Sequence, residues 1–125
     1  MSGDKILLDT NALIYFFEGQ SKITDLVVRT PAVYFSVISE IELLSAPRLT
    51  QDEIVQIKAF LSLCRRVELT QEIVDRTIAI RRQYRFKIPD AIIAASVLSL
   101  NIPLVSADTD FQKVEGLALI SDILT

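Results

Sequence analysis

The chain has 125 residues, 16 Asp plus Glu, 13 Lys plus Arg, a formal charge of −3, and a half share of hydrophobic residues. One domain with a sizeable core fits that length, and the modest charge with high Val/Ile/Leu content excludes a disordered protein. The absence of histidine excludes a Ser-His-Asp triad, a histidine base and histidine-bound zinc, and the single cysteine, Cys64, excludes an internal disulfide or cysteine cluster.

Ile6-Leu7-Leu8, held between Lys5 and Asp9, is apolar without alternation and predicts a strand buried on both faces. Ala12 to Phe17 predicts a helix ended by Gly19, with Thr10 or Asn11 as its cap. Ala32 to Phe35, set off by Pro31, predicts a second strand. From Ser36 a helix follows, with Val37, Ile38, Ile41 and Leu44 on its apolar side and Pro47 closing it. Thr50 and Glu53 form a capping-box pattern, and the helix they open carries Ile54, Ile57, Phe60 and Leu61. Val67-Glu68-Leu69 predicts a brief third strand.

Thr70 is expected to cap a long helix running to about Tyr84. Pro89 suits the first turn of another, from about 89 to 100. The last strands are expected at Leu104 to Ser106 and Leu117 to Ile120. Short apolar strands alternating with helices specify an α/β domain with a central parallel sheet, spanning 1–125 with its core at about 5–121. Strand order is not encoded in the periodicity.

Three glycines, Gly3, Gly19 and Gly116, leave no phosphate loop or dinucleotide fingerprint. Asp4, Lys5 and Asp9 interrupt the opening, so no signal peptide is expected. Residues 91–100 fall well short of the ~18 apolar residues a membrane span needs. A soluble, cytoplasmic protein without a membrane partner is the expectation.

Asp9 follows the first strand directly, and Asp108 lies just beyond the Leu104–Ser106 strand, so a parallel sheet puts both at one carboxyl edge, where ligands gather. Asp90 opens an apolar helix, and Glu42 lies within another. Each also has a plainer reading. Asp9, Asp90, Asp108 and Asp110 suit helix N-termini, and Glu42 suits a partly exposed helix position, with Glu40 as its solvent-facing neighbour. Carboxylates brought together repel, and a divalent cation relieves that repulsion. Oxygen-only donors favour Mg²⁺ or Mn²⁺ over zinc.

Positive charge is concentrated at Arg76, Arg81, Arg82, Arg85 and Lys87, with no acid between them. Arg81 and Arg85 are four apart, the spacing of one helix face. As the segment runs directly into Asp90, it is the candidate phosphate-binding patch, against the plainer reading of a solvated helix face. Arg65 and Arg66 form a weaker second candidate. Tyr15, Phe16 and Phe17 suit packing or a homodimer contact, and Cys64 suits a small buried hydrophobe.

Four segments together resemble the PIN-domain family, most closely its VapC-type ribonuclease toxins. Ile6-Leu7-Leu8-Asp9-Thr10-Asn11 resembles the opening strand and Asp-Thr-Asn, and Ser36-Val37-Ile38-Ser39-Glu40-Ile41-Glu42-Leu43 resembles the second motif, which selects Glu42 over Glu40. Pro89-Asp90-Ala91-Ile92-Ile93-Ala94-Ala95 resembles the third motif. Leu104-Val105-Ser106-Ala107-Asp108-Thr109-Asp110-Phe111 resembles the fourth, with Ser106 where threonine is frequent. The chain is shorter than many relatives, at the helical insert between 48 and 70.

The resemblance implies a PIN-like three-layer domain and a metal-dependent endoribonuclease. Asp9, Glu42, Asp90 and Asp108 would be catalytic and hold Mg²⁺, with Mn²⁺ able to substitute. Thr10, Asn11, Ser106 and Asp110 would support them, while Arg81, Arg82, Arg85 and Lys87 would bind RNA. A small antitoxin and a second copy of the chain are the implied protein partners. The alternatives are a stand-alone RNA-processing nuclease, or a catalytically silent PIN scaffold that binds RNA or protein.

Overall fold

The computed structural model describes residues 3–124. The elements are β1 (Lys5–Leu8), α1 (Thr10–Phe17), α2 (Ser21–Arg29), β2 (Ala32–Ser36), α3 (Val37–Leu44), α4 (Gln51–Ser62), β3 (Arg65–Val67), α5 (Gln71–Gln83), α6 (Ile88–Leu100), β4 (Leu104–Val105) and β5 (Leu119–Ile120). Short 3₁₀ turns cover Thr109–Lys113 and Asp122–Leu124. All strand pairings are parallel, in the order β3-β2-β1-β4-β5. The chain therefore winds outward from β1 to one edge and then returns to the other side at β4. That reversal opens a crevice at the carboxyl ends of β1 and β4, the place where open α/β sheets bind ligands.

Strand residues alternate between two cores. Leu7, Leu104 and Leu119 face the layer of α5 and α6, with Ile92, Val97 and Phe111 among their neighbours. Ile6, Leu8, Phe35 and Val105 face the opposite layer, with Leu13, Ile23 and Leu61. Burial on both faces explains the unbroken apolar runs in the sequence. The result is three layers, a parallel sheet flanked by helices.

Several boundaries differ from the sequence expectation. Asp9, rather than Thr10 or Asn11, caps α1, its carboxylate accepting the Ala12 amide at 2.8 Å. Gly19, at φ +82°, takes the left-handed turn that lets α2 begin immediately afterwards. Although absent from the predicted elements, α2 carries Ile23, Leu26 and Val27 at helical spacing on its core side. The third strand lies at Arg65–Val67 rather than 67–69, because Leu69 is 48% exposed and Arg65 and Arg66 take the extended edge positions. The box of Thr50 and Glu53 caps α4 reciprocally, at 3.1 and 2.9 Å.

Tyr15, Phe16 and Phe17 pack against the α1–α4 core, and Phe16 stacks on Phe60 at 4.3 Å between centroids. Cys64 is half-buried, which pushes its thiol up to about 11. On the other face Phe111 is 1% exposed and stacks on Phe86 at 5.5 Å, joining the loop before α6 to the turn after β4. Phe111→Ala should lower stability by about 3–5 kcal/mol. Urea denaturation would measure it, and a loss under 1 kcal/mol would contradict the packing described.

Candidate active site at the carboxyl edge of the sheet

Asp9 is placed at the end of β1 by the extended backbone that precedes α1. Only 8% of it is exposed. Burial pushes its carboxyl up to about 6, against the lowering influence of hydrogen bonds from Ser106 and the Ala12 amide; the charges of Asp90 and Asp108 raise it further. Ser106 is fully buried at the end of β4, and its hydroxyl also accepts the Asp108 amide at 3.0 Å. The serine thus couples the carboxyl ends of both central strands.

Asp90 lies in the first turn of α6, where Pro89 supplies the preset backbone angle and needs no helical hydrogen bond of its own. Its carboxyl is raised, first by burial and then by the charges of Asp108, Glu42 and, more weakly, Asp110; Lys87 opposes them. Asp90 is accordingly the hub of the acidic group. Asp108 caps the 3₁₀ turn by accepting the Asp110 amide at 2.9 Å, and Asp110 pairs with Lys113 at 3.4 Å.

Glu42 reaches the group from α3. Thr10 donates to its Oε1 at 2.5 Å, and Thr10 Oγ1 is also hydrogen-bonded to Ser39 Oγ at 2.9 Å. Ser39, fully buried, was not among the candidate residues. Its signal was its position three residues before Glu42, on the same helix face. The expectation that Glu40 faces solvent more than Glu42 is reversed: Glu42 is the exposed residue, and Glu40 is half-buried against Arg66 at 2.9 Å. Asn11 is exposed in the first turn of α1.

The basic segment divides. Helix α5 ends at Gln83, so Arg85 does not share its face with Arg81. Arg81 donates from Nε to the Phe86 carbonyl at 3.1 Å and, with Arg82, lines an apolar groove of about 530 Å³ between α5 and α6. Arg85 instead lines a separate cavity beside Asp110 and Lys113. Lys87 is close enough to Asp90 to lower its carboxyl. Of the weaker pair, Arg66 bonds Glu40 and Glu68, and Arg65 lies over the Tyr34 ring at 5.9 Å.

Among the described residues, no three acids already stand in a metal-ligand arrangement. Asp9 is held by Ala12 and Ser106, Glu42 by Thr10 and Asp108 by the Asp110 amide, and Asp110 pairs with Lys113. The donor set nevertheless fits a hard cation. Its charges are oxygen-based, mutually repulsive and partly desolvated, and a divalent cation offsets that penalty.

Residues 6–117 match the PIN domain model, and the chain belongs to the PIN domain family. No curated protein sequence matches it. Among solved structures, a toxin–antitoxin complex from Klebsiella pneumoniae is similar at 29% identity and a TM-score of 0.79, covering 92% of this chain and 95% of that one. DNA-bound VapBC from Salmonella typhimurium shares the fold at a TM-score of 0.82 and 19% identity, with 94% and 97% covered. FitAcB from Neisseria gonorrhoeae does so at 0.78 and 20%, with 96% and 99% covered.

A carboxyl raised from 3.8 to about 6 keeps its proton in the fold between those pH values, after the unfolded chain has released it. Its contribution to stability is therefore full below pH about 4 and is lost as pH rises through about 6. Asp9→Asn keeps a cap oxygen and removes that titration. In chelator at pH 7 the variant should be more stable than the parent by up to about 3 kcal/mol, the gain fading towards pH 4. Urea unfolding across pH 4–8 measures this, and a gain independent of pH would contradict burial as its source.

Proposed function

We propose that the protein is a metal-dependent endoribonuclease, the toxin of a type II toxin–antitoxin pair, and that one domain spanning the chain carries the activity. The observation that carries this reading is the grouping of Asp9, Asp108, Asp90 and Glu42, from four separate segments, at the carboxyl edge of β1 and β4 in a chain without histidine, close enough for their charges to raise the Asp90 carboxyl. Membership of the PIN family and the likeness to the Klebsiella pneumoniae toxin–antitoxin complex support it.

In this reading Asp9, Glu42, Asp90 and Asp108 hold Mg²⁺, or Mn²⁺ in its place. Bound there, the cation supplies an acidified water and offsets charge building on the phosphoryl oxygens. Ser106 and the Ala12 amide fix the Asp9 carboxylate, Thr10 fixes that of Glu42, and Asn11 and Asp110 support the edge of the pocket. Arg85 and Lys87 draw the RNA backbone towards the acids, with Arg81 and Arg82 extending the positive field along α5. Water as nucleophile displaces the ribose 3′-oxygen, leaving a 5′-phosphate and a 3′-hydroxyl.

A small antitoxin is the proposed protein partner, placing a basic group against the carboxylates in competition with the cation. A homodimer is the proposed assembly.

RNA cleavage should require Mg²⁺ or Mn²⁺ and leave 5′-phosphate ends. Asp9→Asn should cut at least 100-fold more slowly at every Mg²⁺ concentration. End analysis and Mg²⁺ titrations of cleavage provide the test: 2′,3′-cyclic phosphate ends would overturn the water mechanism, and parental rates for the variant would remove Asp9 from the site.

A further inference from the structure

Beside the acidic group lies a cavity of about 270 Å³, lined by Gln83, Tyr84, Arg85, Phe86, Asp110 and Lys113. Its walls come from two segments, the loop after α5 and the 3₁₀ turn after β4. Three contacts hold them in place. Phe86 stacks on Phe111, the Tyr84 hydroxyl accepts the Glu115 amide at 3.1 Å, and the Phe86 carbonyl accepts Arg81 Nε. Phe86 is buried while Arg85, immediately before it, is exposed, so the loop presents a guanidinium beside the cavity. Lys113, from the 3₁₀ turn, also lines the cavity and holds its ammonium 3.4 Å from Asp110.

The cavity adjoins the catalytic acids through Asp110, whose charge reaches Asp90. Two cationic residues and one carboxylate line it, in contrast to the acidic group next door. The Lys113–Asp110 pair is largely exposed, 69% and 63%, and such pairs contribute little. A phosphate can therefore draw Lys113 away at small cost, and Arg85 offers the planar fork that suits phosphate oxygens. Gln83 supplies an amide donor and acceptor of the kind that hydrogen-bonds a base edge.

We propose that this cavity is a one-nucleotide subsite for single-stranded RNA next to the cleaved bond, with the phosphate between Arg85 and Lys113 and the base against Gln83. The proposal rests on the ribonuclease reading and adds Lys113 and Gln83 as substrate-positioning residues.

The test uses a fluorescein-labelled single-stranded RNA oligonucleotide of mixed sequence. Its binding is followed by anisotropy across salt in excess chelator, and its cleavage in Mg²⁺. Lys113→Ala should weaken binding several-fold and reduce the salt slope by up to about 0.7, the value for one phosphate contact on a single strand. Lys113→Arg should restore both. Gln83→Ala should weaken binding with the slope unchanged, a result that a general electrostatic field does not give. In cleavage, both alanine variants should raise KM and keep kcat within about twofold.

Thermal melting checks that the exposed substitutions leave the fold intact, and Lys113→Glu should weaken binding further than alanine. Parental affinity, slope and KM for Lys113→Ala and Gln83→Ala would overturn the subsite while leaving an RNA-cleaving parent intact. A parent that neither binds nor cuts RNA with Mg²⁺ or Mn²⁺ would overturn the ribonuclease reading, and the subsite with it.

Discussion

Repulsion among carboxylates is the constraint on which the functional end of this molecule depends. Asp90 feels Asp108, Glu42 and Asp110, and Asp9 feels Asp90 and Asp108, in surroundings that withdraw Asp9 from water and Asp90 in part. Asp9 is buried and Asp90 half-buried, while Glu42, Asp108 and Asp110 are exposed, so desolvation weighs on the first two and like-charge repulsion on the whole group. Nothing in folding alone calls for such a group. Local bonds fix three of the acids separately: a helix cap at Asp9, a threonine at Glu42 and a 3₁₀ cap at Asp108.

The rest of the fold supplies the position. Parallel strands β1 and β4 lie side by side at the reversal in strand order, so Asp9 and Asp108 share one edge. Helix α6, apolar almost all round and packed heavily against α5, delivers Asp90 from its first turn. Helix α3 delivers Glu42 through its contact with α1. Stacking of Phe86 on Phe111 then ties the segment leading to Asp90 to the one following Asp108. A packed, two-sided core thus holds a charged edge that would otherwise spread apart.

Much of this was legible in the residues. Unalternating runs such as Ile6-Leu7-Leu8 specified buried parallel strands, and Thr50 with Glu53 specified a helix start. Other features were hidden for physical reasons. Strand order depends on which crossovers pack, which periodicity does not record. Helix α2 follows Gly19 so closely that its short apolar stripe merges with the turn. Leu69 looked like strand interior but lies exposed, because edge strand β3 ends before it. Glu40 and Glu42 could not be told apart by periodicity, since the ion pair that half-buries Glu40 comes from Arg66, 26 residues away. The basic segment splits because the backbone turns extended at Tyr84, so the spacing of four between Arg81 and Arg85 does not fall on one helix.

On the proposed reading, the crowding of these carboxylates serves to hold a divalent cation. That role is tested most directly by following the Asp9 carboxyl carbon by NMR through a pH titration, first in chelator and then in saturating Mg²⁺. The midpoint should lie near 6 without metal, where burial dominates, and fall by at least about one unit with Mg²⁺ as the cation favours the charged form. A midpoint that Mg²⁺ leaves unchanged would contradict it.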